Sequence, residues 1–338
     1  CGKILATFER RYIPAEPGRF ATLIVAFRSE YARYSSLTRL VSGAPRRSRC
    51  SRGFHHRLSI LFGLALLLPA AAFAQQGPEK GSLVIVGGAL RDDAILERFI
   101  SLAGGPEAPI VIIPTAGGED DYDAWYAGAR RFRNLGANNL TVLHTWDREE
   151  AESEEFAAPI TKARGVWFPG GRQWRLVDAY ADTRTERELH ALLARGGVIG
   201  GSSAGATIQG EYLARGDTSG NTIMMGDHEE GFAFFRGTAI DQHLLVRNRH
   251  FDLLEIIAAR PELLGIGIDE DTAIVVRGNG FEVIGQGYVA IYDNTRELPN
   301  GGTFYFLMPG DRYNIETREP MRLQFGDGAF QTTVKKKR

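Results

Sequence analysis

Gly201-Ser202-Ser203-Ala204-Gly205 sets a serine between two glycines, each two residues away, directly after the apolar run Val198-Ile199-Gly200. A G-x-S-x-G sequence between a strand and a helix is a turn sharp enough to lift a serine hydroxyl clear of a sheet. The N–H of Ala204 then faces the oxygen of a carbonyl under attack, and a following helix, expected over Ala204–Leu213, adds partial positive charge there. Ser202 competes for the role but lacks glycines at the right offsets. An activated serine needs a base. His243, in Ile240-Asp241-Gln242-His243, is the candidate, with His228 and His250 behind it. A third member must hold the imidazole in one tautomer. Gly265-Ile266-Gly267-Ile268 runs into Asp269-Glu270-Asp271, and these three carboxylates are equal candidates by sequence mechanics. In Phe168-Pro169-Gly170-Gly171-Arg172-Gln173 the paired glycines permit close backbone approach, so the Gly171 N–H is a candidate second oxyanion donor. No lysine completes a phosphate-binding loop there.

The elements that must position these groups are short β-branched runs alternating with longer mixed segments. Leu83–Val86, Ile110–Ile113, Leu140–Leu143, Val166–Phe168 and Val198–Gly200 are apolar without alternation, as strands covered on both faces are. Helical patterns over Asp93–Leu102, Tyr122–Leu135 and Glu186–Arg195 lie between them. The expected fold is therefore α/β, a mostly parallel sheet with helices on both faces. Ligands of such sheets sit beyond the carboxyl ends of the strands, where each motif above falls. After about residue 265 short strands at 272–276, 281–284, 288–292 and 303–306, parted by Gly and Asn turns, predict a C-terminal antiparallel extension of one catalytic domain spanning 75–338, with a short basic tail at Lys335–Arg338.

Composition excludes several functions. Of 40 Lys/Arg and 41 Asp/Glu, 12 and 3 lie in residues 1–74, which leaves 28 and 38 in the remainder, an excess of ten acidic groups. That balance argues against nucleic acid as a partner, since phosphate binding wants a basic surface. Both cysteines, Cys1 and Cys50, precede the body, so disulfides, zinc–thiolate sites and a cysteine nucleophile are excluded after residue 74. No His-Glu-x-x-His occurs, which speaks against a zinc hydrolase. No methionine precedes Met224, and residues 1–54 read as an unstructured or untranslated leader. Arg57, the apolar run Leu58–Ala72 and the close Ala72-Phe73-Ala74 have the parts of a signal peptide over 55–74, cleaved near Ala74. The run falls short of the roughly 20 apolar residues of a membrane span, so a secreted or periplasmic enzyme without a stable membrane anchor is expected.

Taken together, Val86-Gly87-Gly88, Ile113-Pro114-Thr115-Ala116, Phe168-Pro169-Gly170-Gly171, Gly201–Gly205, Asp241-Gln242-His243 and Gly265–Glu270 resemble peptidase family S51, and within it the cyanophycinase-like branch. The resemblance covers about 81–292. It implies a flavodoxin-like fold similar to class I glutamine amidotransferases, with serine in place of cysteine. It implies a Ser203–His243–Glu270 triad, oxyanion donors at Gly171 and Ala204, and a substrate pocket lined by Gln173, Asp241, Gln242, Arg247 and Arg249. No metal or organic cofactor is implied. The implied substrate is a polyaspartate carrying arginine on its side-chain carboxyls, cut at the aspartyl backbone to release β-aspartyl-arginine. Arg247 and Arg249 suit its carboxylates, and Asp241 or Gln173 its guanidinium. Two positions depart from the pattern: Asp252 stands where a third arginine is usual, and Arg172 where a small polar or acidic residue is. An exopeptidase for short Asp-containing peptides and a non-catalytic binding protein on the same scaffold remain alternatives. A homodimer is compatible with all three.

Overall fold

The structure, a computed structural model, describes residues 75–298 and 301–322. The expected leader over 1–54, the expected signal peptide over 55–74 and the basic tail lie outside the described residues. Among the described residues the strands are β1 (Ser82–Val86), β2 (Ile110–Ile112), β3 (Leu140–Val142), β4 (Gly165–Phe168), β5 (Val198–Ser202), β6 (Gly210–Tyr212), β7 (Phe235–Gln242), β8 (Leu264–Ile268), β9 (Thr272–Arg277), β10 (Gly280–Gly285), β11 (Val289–Tyr292), β12 (Tyr305–Leu307), β13 (Arg312–Asn314) and β14 (Glu319–Met321). The helices are α1 (Asp93–Ala103), α2 (Ala127–Asn134), α3 (Arg148–Glu152), α4 (Glu154–Lys162), α5 (Gln173–Tyr180), α6 (Arg184–Ala194), α7 (Ala204–Thr207) and α8 (Leu253–Ala259).

Two sheets form. The larger runs β14-β13-β10-β9-β1-β5-β4-β2-β3, with β1, β5, β4, β2 and β3 mutually parallel and β9 antiparallel to β1. Its central strands are buried on both faces because alternate side chains enter different cores. Leu83, Ile85, Val166 and Phe168 pack toward α4, α5 and α6, while Val84, Val86, Ile112 and Trp167 pack on α1 and α2. The helical expectations hold with shifted ends: the 122–135 pattern begins as helix only at Ala127, since Gly117–Trp125 follow other turns.

The expected C-terminal antiparallel strands are present, and part of them extends the first sheet. Only β9, β10, β13 and β14 do so, whereas β11 and β12 join β8, β7 and β6 in a second, five-stranded sheet. In it β6, β7 and β8 are parallel, which nothing in their short apolar runs announces. One expectation needs correction: the helix after Ser203 is far shorter than Ala204–Leu213. It ends at Thr207, and β6 follows. The carbonyls of Ile208, Gln209 and Gly210, which a longer helix would use, instead accept the N–H groups of Phe232, Phe235 and Ala233 at 2.9, 2.9 and 3.0 Å. Tertiary pairing overrides local helical preference here.

Candidate active site

Strand register brings the motifs together. Val86 of β1 lies beside Ser202 of β5, and Phe168 of β4 beside Gly201, so three parallel strands end at one level. Gln242 at the end of β7 pairs with Ile268 at the end of β8, which sets His243 next to Asp269-Glu270. The carboxyl end of β1 joins the two groups. The carbonyls of Val86, Gly87 and Gly88 accept, in order, the N–H of Ser203 at 3.0 Å, of His243 at 2.8 Å and of Asp271 at 2.9 Å. Three successive carbonyls thus hold the backbone of each segment that carries a candidate group.

Ser203 sits at φ 57°, ψ −113°, a conformation costly for a residue with a Cβ. The turn closes because its glycines touch backbone: a Cβ on Gly205 would run into the Phe168 carbonyl, and one on Gly201 would lie 2.6 Å from the Gly205 carbonyl carbon. Ser203 Oγ lies 2.9 Å from His243 Nε2, and His243 Nδ1 lies 2.6 Å from Glu270 Oε1. In that line the imidazole can take the hydroxyl proton while its far nitrogen donates to a carboxylate. His243 is itself left-handed, at φ 56°. Burial pushes its pKa below the ordinary imidazole value. The hydrogen bond to Glu270 pulls the other way, and the Arg247 and Arg249 charges lower it further.

The three acidic neighbours separate cleanly. Asp269 Oδ1 accepts the N–H of Leu245 and Val246 at 2.9 and 3.2 Å. Asp271 Oδ1 accepts the N–H of Arg91 and Asp92, both at 2.7 Å. Only Glu270 meets the imidazole, with Arg91, which is largely exposed, 4.0 Å from its other oxygen.

Both candidate oxyanion donors are available. The Arg172 N–H is used by the Ala116 carbonyl, and those of Ala206 and Thr207 by Ser203, but those of Gly171 and Ala204 have no partner among the described residues. A Cβ on Gly170 would lie 3.3 Å from Ser203 Cβ, so this loop borders the serine.

The five pocket candidates are divided. Arg247 is exposed and forms no ion pair among the described residues. The other four are buried and have partners within the protein. Gln173 Nε2 donates to the carbonyls of Ala214 and Arg215 at 2.7 and 2.9 Å. Asp241, fully buried, receives Arg215 Nε and Nη2 at 2.9 and 3.2 Å. Arg249 Nη1 reaches the Gln242 carbonyl at 3.0 Å and its Oε1 at 2.8 Å. Arg215 was not among the candidates. Its signal was a lone arginine closing the apolar run Tyr212-Leu213-Ala214, where a charge must find a buried partner. Of the two departures, Asp252 accepts from Arg215 Nη2, and Arg172 Nη1 donates to the Gly220 carbonyl at 3.0 Å. The weaker histidines stand elsewhere: His228 is held between Asp178 and Asp227, and the His250 carbonyl accepts from the Tyr292 hydroxyl.

A parallel-centred α/β sheet with a serine on a strained turn, a buried imidazole and a carboxylate defines a serine-type hydrolase. The family model for peptidase family S51 matches residues 83–284, and the chain belongs to that family. It is a serine-type peptidase of the cyanophycinase-like kind. The cyanophycinase of Geminocystis herdmanii is 34% identical over 266 residues, covering 72% of this chain and 96% of that protein. The cyanophycinase of Trichormus variabilis is 35% identical over 277 residues, with 74% and 92% covered. Among solved structures, a peptidase from an acI-B1 Actinobacterium superposes with a TM-score of 0.54 at 26% identity, covering 71% of this chain and 98% of that one.

Proposed function

We propose that this peptidase hydrolyses aspartyl backbone bonds through an acyl-enzyme on Ser203. The observation that carries the proposal is the unbroken line from Ser203 Oγ through His243 to Glu270. His243 takes the hydroxyl proton as Oγ attacks the carbonyl carbon, then delivers it to the leaving amine, and water repeats the cycle on the ester. Glu270 holds the tautomer with Nε2 unprotonated and stabilises the imidazolium. The Gly171 and Ala204 N–H groups take the oxyanion.

For the substrate, the cyanophycinases at 34 and 35% identity support cyanophycin, and the family resemblance implies β-aspartyl-arginine as product. Incubating the purified protein with cyanophycin and reading products by mass spectrometry tests this. Release of β-aspartyl-arginine by the wild type but not by Ser203→Ala is expected. A second reading, cleavage of short Asp-containing peptides, is favoured by the closure of Asp241 on Arg215 while Arg247 stands free for a carboxylate. No polymer cleavage, with Ser203 still labelled by a fluorophosphonate, would select that reading. Export through a cleaved segment at 55–74 belongs to the same proposal, resting on the sequence pattern alone.

Two results follow from the geometry. Glu270→Gln is expected to lower kcat/KM by on the order of 10³–10⁴-fold, since an amide holds the wrong tautomer. Asp269→Asn and Asp271→Asn should keep most activity and lose about 1–2 kcal/mol of stability from weakened bonds to backbone N–H, read as Tm. Equal losses of activity in all three would refute the assignment. In the pH profile, the base must be neutral, so activity falls as pH drops through the His243 pKa. Because that pKa is lowered, the acid limb should lie below the ordinary value of about 6.5. Arg247→Gln removes a charge that disfavours the imidazolium, so the limb should move to higher pH; movement downward would contradict this account.

A further inference from the structure

Arg215 touches neither Ser203 nor His243, yet its placement is costly. It is 3% exposed, lies beyond the end of β6 and adopts φ 57°, a left-handed conformation rare for a long side chain. Its guanidinium is almost fully used: Nε and Nη2 grip both oxygens of Asp241, Nη2 also meets Asp252, and Nη1 donates to the Asn221 carbonyl at 2.9 Å. Two aspartates and the Arg215–Arg249 pair make the cluster neutral, Arg249 Nη1 lying 3.8 Å from Asp241. Buried ion pairs add little net stability over well-packed apolar groups, although removal of one partner is expensive. Such a cluster is best understood by what it holds in place.

What it holds is the approach to His243. Asp241, Gln242 and His243 are consecutive at the end of β7, and each is tied by a different element. Arg215 takes the Asp241 carboxylate, Arg249 takes the Gln242 carbonyl and amide oxygen, and the Gly87 carbonyl takes the His243 N–H. Arg215 also ties that strand end to the Asp252 side chain at the start of α8 and to the segment around Asn221. Gln173, beside the Gly170-Gly171 loop, completes the tie by donating to the Arg215 carbonyl.

The geometry points to Arg215 as a positioning residue for His243, with Asp241 and Asp252 as its counter-ions. This rests on the reading of Ser203 and His243 as nucleophile and base. The inference follows from displacement: loosening Asp241 frees the His243 ring from its line with Ser203 Oγ and opens it to water. Glu270, which the ring contacts, and Arg247 and Arg249, whose charges act on it, all remain when Arg215 is changed.

The test measures the rate at which a fluorophosphonate labels the purified protein across pH, since labelling needs the serine and its base but no knowledge of the natural substrate. Arg215→Lys keeps the charge and loses the two-pronged grip. In folded protein it should label on the order of 10²-fold more slowly, as a displacement of about 1 Å would cause. Its acid limb should move to higher pH as the imidazole gains water. A wild-type rate, or a slower rate with an unmoved limb, would overturn the inference. If Arg215→Lys does not fold, Asp252→Asn decides. It leaves the Asp241 pair in place and should show a smaller loss with the same direction of shift, whereas an unchanged limb would overturn the assignment. A wild type that is not labelled would sink the underlying reading of Ser203, and this inference with it.

Discussion

Ser203→Ala should reduce hydrolysis by on the order of 10⁴-fold or more, leaving what the oxyanion donors and binding supply. Ser203→Gly should be equally inactive and should melt at a higher temperature than the wild type. The reason is the conformation at this residue, φ 57° and ψ −113°. Holding a side chain there costs about 1–3 kcal/mol, which glycine does not pay. Against this, glycine loses about 0.4–1 kcal/mol through the greater freedom of its unfolded chain. A net gain of about 1 kcal/mol remains, or roughly 2–4 °C in a domain of this size. Ser203→Ala keeps the Cβ and should gain nothing. Calorimetry on the three proteins separates the effects. A Ser203→Gly protein no more stable than Ser203→Ala would show that the turn stores no strain.

The second large effect is expected at a residue with no side chain. A Cβ added to Gly88 would overlap the His243 ring, coming within 2.6 Å of Nδ1 and 2.7 Å of Nε2. Gly88 also adopts φ 123°, where an L-residue is strained. Gly88→Ala must therefore push the imidazole out of line with Ser203 or distort the end of β1. Either way activity should fall by on the order of 10²-fold or more, because a displacement of about 1 Å at the base is enough. The Gly88 carbonyl also fixes Asp271 at 2.9 Å, so the change reaches Glu270 through the backbone. Kinetics on folded Gly88→Ala checks this, and kcat/KM near the wild-type value would disprove the close packing. Gly170→Ala is a contrasting control, since its Cβ would meet Ser203 Cβ at 3.3 Å, a tight contact that a small shift relieves.

These two expectations share a cause. Val86-Gly87-Gly88 forms a bracket whose carbonyls anchor the serine, histidine and carboxylate segments, and the same bracket must be bare on the side that faces the imidazole. The site is therefore carried by the backbone of the central strand as much as by side chains. Rigid strand ends place reacting groups more accurately than free loops do.

Much was legible in the chain because it is local. Unalternating apolar runs announced buried parallel strands, and Gly201–Gly205 announced a turn whose conformation is dictated within five residues. Val198–Gly200 entering Ser203 needed no long-range information. The base was legible only by elimination, and the choice of Glu270 over Asp269 and Asp271 came from family resemblance. The tertiary structure shows why mechanics could not choose. Three adjacent carboxylates offer the same chemistry, and what separates them is direction: Asp269 turns to the Leu245 N–H and Asp271 to that of Arg91, which leaves Glu270 for the imidazole. The same holds for the helix that stops at Thr207, because its unused carbonyls are claimed by a segment more than twenty residues away. Asp241 and Arg215 are 26 positions apart, and no periodicity connects them. Sequence by itself determined the parallel strands of the first sheet, the turn and the residue types of the chemistry, which depend on near neighbours. Tertiary structure alone decided which side chains face the serine and which are consumed in holding it, because that depends on donors and acceptors brought together from distant parts of the chain.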